Sequence, residues 1–128
     1  MDHFQLEIDR ILFESNSAGI SLRRLYELFK NHKRKNSLSY LCQRIGIPSK
    51  GYLSFVMSGK RRLHAKYWDL TCKTFKLNDQ QEKILKSLLE LDFIRCETER
   101  RYQQKRIQYL REENKVLESA KFNLAGQS

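Results

Sequence analysis

Apolar residues recur at intervals of three and four through most of this chain, broken by short polar clusters. That interval is the period of a helix with one buried face. Phe4, Ile8, Ile11 and Leu12 predict an amphipathic helix over residues 3–14, and Asn16, Ser17, Ala18 and Gly19 read as the turn after it. Leu22, Leu25, Tyr26 and Phe29 predict a second helix from Ser21 onward, running out in the basic stretch 30–35. Cations there complement the partial negative charge of a helix C-terminus and are also candidate phosphate contacts. Ser37 is the expected N-cap of a short helix carrying Leu38, Leu41, Cys42 and Ile45 inward. Gly46 follows where a residue of positive φ is wanted. Pro48, the single proline, cannot sit mid-helix, so the next helix starts at or beside it. Leu53, Val56 and Met57 give that helix its buried side, Gly59 closes it, and Lys60, Arg61 and Arg62 occupy the following loop.

Trp68, Cys72 and Phe75 mark one face of a further helix ending near Leu77. Asn78 with Gln81 has the form of a capping box. No glycine or proline intervenes between Asp79 and Glu118, which predicts one long helix of about 60 Å. Along it Leu89, Phe93, Cys96, Arg100, Gln103, Ile107, Leu110, Asn114 and Leu117 alternate at four and three, the seam of a coiled coil. The expected fold class is therefore all-α. An N-terminal amphipathic helix and turn (1–20) precede a central helical domain (21–78). A long C-terminal helix for packing or oligomerisation (79–118) and a flexible tail (119–128) follow.

Charge singles out the middle of the chain. Residues 30–76 hold twelve Lys and Arg against one acid, Asp69, for a net +11, while the flanks carry −2 and +1. Charge this concentrated is the footprint of a phosphate-backbone binder. The same window holds the string from Leu41 to Leu63. Cys42 is small enough to let two helices approach, Gly46 makes a turn, Ile47 plugs the gap, and Leu53 and Val56 seat a second helix. That is the anatomy of a helix–turn–helix, in which a tiny core holds one helix at the angle needed to enter the major groove. Gly46 and Gly51 enclose four residues as in a phosphate-binding loop, but Tyr52 and Leu53 stand where Lys and Ser or Thr are required.

The pattern resembles the phage-repressor-like (Cro-type, XRE-like) helix–turn–helix class. It is most similar to a bacterial regulator family in which such a unit precedes a larger C-terminal domain. The family pattern, roughly Ser-Tyr-x-x-Leu-Ala-x-x-x-Gly-Ile-Ser-Ser-x-x-Tyr-Leu-x-x-Val-x-x-Gly-Lys-Arg-x-Leu, aligns with Ser37 to Leu63. Leu38, Cys42 and Pro48 depart from it. The resemblance covers roughly residues 22–110 and implies DNA binding and transcriptional regulation. This chain is expected to be a short form without the C-terminal domain.

A helix over 49–58 lying in the major groove would turn Ser49, Lys50, Tyr52, Ser54 and Phe55 toward base edges. Lys50 suits guanine O6 or N7, the hydroxyls serve as donor or acceptor, and Phe55 suits a thymine methyl. Tyr52 is equally readable as a brace for the turn. Arg44, Lys60, Arg61, Arg62, His64 and Lys66 are the phosphate-contact candidates. The set is poor in bidentate readers, so modest direct base discrimination is expected, with DNA shape or dimer geometry adding the rest.

Cys42, Cys72 and Cys96 and the scattered His3, His32 and His64 offer no ligand set at metal spacing. No catalytic arrangement, cofactor or small-molecule site stands out, so the chain is not expected to be an enzyme. No apolar run suits a membrane span or a secretory signal, and a cytoplasmic, nucleoid-associated location is expected. The expected partners are double-stranded DNA and a second copy of the chain. A parallel zipper is disfavoured, because Arg106 would face the partner's Arg111 and Glu113 the partner's Glu118. The expected dimer instead crosses antiparallel or docks on the partner's N-terminal helix through Phe4, Ile8 and Ile11. The competing function is a protein-interaction adaptor or antitoxin-like module on the same scaffold.

Overall fold

The structure, a computed structural model, describes residues 3–32 and 37–126, with side chains described as far as residue 115. Its described residues form seven α-helices and no strand: α1 (His3–Glu14), α2 (Ala18–His32), α3 (Leu38–Ile45), α4 (Lys50–Met57), α5 (Trp68–Thr74), α6 (Asp79–Leu91) and α7 (Glu97–Gly126). A 3₁₀ turn over Ala65–Tyr67 leads into α5. No described helix is long and apolar enough to cross a membrane.

One core joins nearly all of these helices. Ile8 and Leu12 of α1, Leu22 and Leu25 of α2, Leu41 and Ile45 of α3, Leu53 of α4 and Ile84, Leu85 and Leu88 of α6 are all buried. Three aromatic rings stitch α1 and α2 to Phe75, just after α5: Phe4 stands 4.9 Å from Phe29, and Phe29 stands 5.2 Å from Phe75, both edge to face. Helix α1 is thus part of the same core as the central helices.

The caps follow the sequence closely. Ser37 accepts a hydrogen bond from the Tyr40 N–H, and Asn78 and Gln81 form the reciprocal capping box. Gly46 and Gly59 take positive φ, 89° and 80°, and close α3 and α4. Two boundaries differ. The connector before α2 is shorter than the expected turn at 16–19, because α2 starts at Ala18 under a Ser17 Oγ cap on the Ile20 N–H. Gly19 is therefore helical and buried. Helix α5 ends at Thr74 rather than near Leu77, and Lys76 at φ 55° turns the chain back.

The single helix expected over 79–118 is two helices, and this corrects the sequence reading. Residues 92–96 break it without glycine or proline. Folding back lets α7 lie along α6 and α1, and Arg100 donates to the Leu91 and Ile94 carbonyls at the break, at 2.8 and 2.9 Å. The expected coiled-coil seam is thereby buried within the chain. Leu89, Gln103, Ile107, Leu110 and Asn114 are buried, whereas Phe93 and Cys96 fall at the break and are exposed; Leu117 lies outside the described side chains. Phe4, Ile8 and Ile11 likewise face this chain's own core. Asp9 accepts hydrogen bonds from Gln81 (2.8 Å) and Asn114 (3.4 Å), tying α1, α6 and α7 together. Arg111 donates to the Leu12 and Ser15 carbonyls at the end of α1. The segment expected as a tail continues α7 to Gly126, and 127–128 lie outside the described residues.

Candidate nucleic-acid interface

Helices α3 and α4 are joined by four residues, 46–49. Gly46 and Ile47 both donate their N–H to the Cys42 carbonyl, which pulls the turn tight, and Ile47 is buried as a plug. Ser49 caps α4 by accepting from the Tyr52 N–H at 3.4 Å. Burial pushes the Cys42 thiol up against the opposing influence of Lys50, so it serves as a small apolar spacer.

Leu53, Val56 and Met57 turn inward on α4. Its outer face presents Lys50, Gly51, Ser54, Phe55 and Ser58 to solvent, and Phe55 is 47% exposed. Four of the five sequence candidates, Ser49, Lys50, Ser54 and Phe55, are therefore exposed together on or beside one short helix. The seating is close. A Cβ on Gly19 would lie 2.6 Å from the Val56 carbonyl oxygen, so α2 can approach α4 this far only with glycine there. That constraint was invisible in the sequence, where Gly19 read as a turn residue.

Tyr52, the fifth candidate, is half-buried and makes the bracing contacts. Its hydroxyl donates to the Arg62 carbonyl at 3.0 Å and accepts from the His64 N–H at 2.9 Å. The loop is pinned a second time where the Trp68 indole N–H donates to the Leu63 carbonyl at 2.9 Å, with Leu63 itself buried. The basic loop is thus held against α4 at both the backbone and the core.

Its cations rest on aromatic rings. Lys60 Nζ lies 5.8 Å from the Phe55 ring, Arg61 5.3 Å from Tyr52, Arg62 5.1 Å from Phe93 and Lys66 5.1 Å from Tyr67. Such contacts are attractive through the ring quadrupole but leave the charge unneutralised. Among the described residues, no carboxylate lies within ion-pair distance of Lys50, Lys60, Arg61, Arg62 or Lys66. Asp69, the single acid of the window, is bound by Lys86 of α6, which holds its carboxyl below the usual range. His64 is exposed, and its ring Nδ1 accepts from the Lys66 N–H. Arg44 is exposed in the last turn of α3 and is not tied to the loop by a described contact. Lys33, Arg34 and Lys35 lie outside the described residues.

Two residues beside the loop were not singled out as site residues. Asp92 lines a cleft with Lys60, Arg61 and Arg62, and Phe93 lies under Arg62. Burial raises the Asp92 carboxyl, with Arg100 and Arg62 pulling the other way. A contact spanning 31 positions, from Arg62 to Phe93, with Phe93 read as a seam residue, leaves no local signal. Among the described residues no group of His, Cys, Asp and Glu gathers in a way that could hold a metal ion. No family model, curated protein or solved structure matches this chain.

Proposed function

We propose that this protein is a double-stranded-DNA-binding transcriptional regulator in which α3 and α4 form a helix–turn–helix and α4 enters the major groove. The observation that carries the reading is the row of exposed cations, with no ion pair among the described residues, mounted on rings immediately beside the exposed face of α4. Charges left unneutralised on a rigid loop suit phosphate oxygens on either side of a groove. Lys50, Ser54 and Phe55 then meet base edges, and Lys60, Arg61, Arg62 and Lys66 meet the backbone. A helix this short reaches only a few base pairs, so two copies read paired half-sites.

Fluorescence anisotropy with random duplex, random single-stranded RNA and a duplex selected from a random pool tests the reading. Selected duplex is expected to bind most tightly. Arg61→Ala or Arg62→Ala should weaken both duplexes alike and lower the log–log salt slope by about 1 each. Lys50→Ala should cost about 1–3 kcal/mol on the selected duplex only. Equal losses for Lys50→Ala on both duplexes would sink the docking of α4. Failure of every duplex to bind would leave the scaffold to a protein partner.

A further inference from the structure

Of the four ring-mounted loop cations, Arg62 is the one supported from outside the α3–α5 segment. Its guanidinium stands 5.1 Å from the ring centroid of Phe93, in the connector between α6 and α7. Phe93 is 45% exposed, so burial alone does not account for a phenyl ring there. The ring is also set against Trp68, 6.2 Å between centroids, and the Trp68 indole holds the loop at Leu63. The neighbouring Asp92 opens onto the same cleft as Arg62. Arg100, donating to the Leu91 and Ile94 carbonyls, fixes the connector that carries both residues.

We propose that Phe93 is a positioning residue for DNA binding, and that the α6–α7 connector mounts Arg62 at the edge of α4. The inference rests on the duplex-binding reading above. A free arginine side chain carries rotamer entropy that a phosphate contact must overcome. Holding the guanidinium over a ring face removes part of that freedom beforehand and leaves the group charged for a phosphate. The C-terminal hairpin thereby belongs to the interface without touching DNA. It also explains an aromatic residue at a break where solvation would favour a polar one.

Two variants separate the roles of the ring. Phe93→Leu keeps apolar bulk against Trp68 but has no π face, and Phe93→Trp keeps the face. The affinity of each for the selected duplex is measured by anisotropy at fixed salt, alone and combined with Arg62→Ala. The Arg62 Nε–Hε resonance of the free protein is followed by NMR. Phe93→Leu is expected to weaken binding about two- to fivefold, Phe93→Trp to bind like the wild type, and the loss from Arg62→Ala to shrink in the Leu background. The ring-current shift of the Arg62 resonance should vanish in Phe93→Leu alone. Wild-type affinity in Phe93→Leu with the full Arg62 loss retained, or an unmoved Arg62 resonance, would overturn the inference. A wild-type chain that binds no duplex would overturn the duplex reading and this inference together, an outcome distinct from loss of the Phe93 effect alone.

Discussion

Lys76 and Gly51 show how a single position reports on what shaped it. Lys76 holds a left-handed backbone, φ 55°, with its N–H on the Lys73 carbonyl, while the Leu77 N–H reaches the Cys72 carbonyl. This is the glycine-favouring helix stop made with lysine, and a Cβ in that region costs about 1–2 kcal/mol. Lys76→Gly is expected to stabilise the fold by roughly 0.5–1 kcal/mol after the glycine's own entropy cost, read as a rise of a few degrees in Tm. Gly51 is the opposite case. It sits exposed in the first turn of α4, its φ is ordinary, and an added Cβ would meet only Ser49 Oγ at 3.4 Å. The fold does not require glycine there, and alanine is better in a helix by about 0.5–1 kcal/mol. If the backbone of α4 approaches DNA at this point, Gly51→Ala raises Tm while weakening duplex affinity. A rise in Tm with unchanged affinity would place the close approach elsewhere on α4.

At the scale of elements, the angle and depth of α4 are set by α2 as much as by the turn. Gly19 meets the Val56 carbonyl, and Leu53 and Val56 are nearly inaccessible. Gly19→Ala would force backbone against Cβ and is expected to cost about 1–3 kcal/mol. Thermal denaturation would measure that cost, and anisotropy should show duplex affinity falling beyond the unfolded fraction, because α4 is displaced. An unchanged Tm would mean that α2 can recede freely. The break after α6 has its own element-scale logic. Leu88 and Leu91 on one side and Ile107 and Leu110 on the other are buried only if the chain reverses between them. That burial outweighs the few helical hydrogen bonds lost at 92–96.

The whole molecule behaves as one unit, because α6 supplies Ile84, Leu85 and Leu88 to the core that α1–α4 share. A chain ending at Leu77 would expose that apolar surface and strip Asp9 of both buried partners. It is expected to lose cooperative unfolding and much of its helical circular dichroism signal; a sharp transition would show that residues 1–77 fold alone. Light scattering on the full chain tests self-association separately. Twice the 15.4 kDa chain mass at micromolar concentration is expected, and a single-chain mass would leave pairing to the DNA. Such a dimer has to use surface other than the Gln103–Ile107–Leu110–Asn114 face, which is already buried.

Local signals carried much of this. The period of Leu22, Leu25 and Phe29, the Ser37 cap, the Asn78–Gln81 box and the glycine stops at 46 and 59 all act within a turn or two of chain, so the helices around them were legible. The exposure of Ser49, Lys50, Ser54 and Phe55 was legible for the same reason, since helical spacing fixes which side chains point away from Leu53 and Val56. What escaped depends on contacts between distant segments. A seam at spacings of four and three looks the same whether its partner is another chain or α1 and α6 of this one, because periodicity states that a face is buried but not by what. The break at 92–96 carries no glycine or proline; Arg100 helps hold it by donating to the Leu91 and Ile94 carbonyls from the first turn of α7. Gly19 needs Val56, and Arg62 needs Phe93, across intervals that no local rule spans. Only packing the helices together decides such pairs, since the free energy lies in surfaces that meet after the chain has folded.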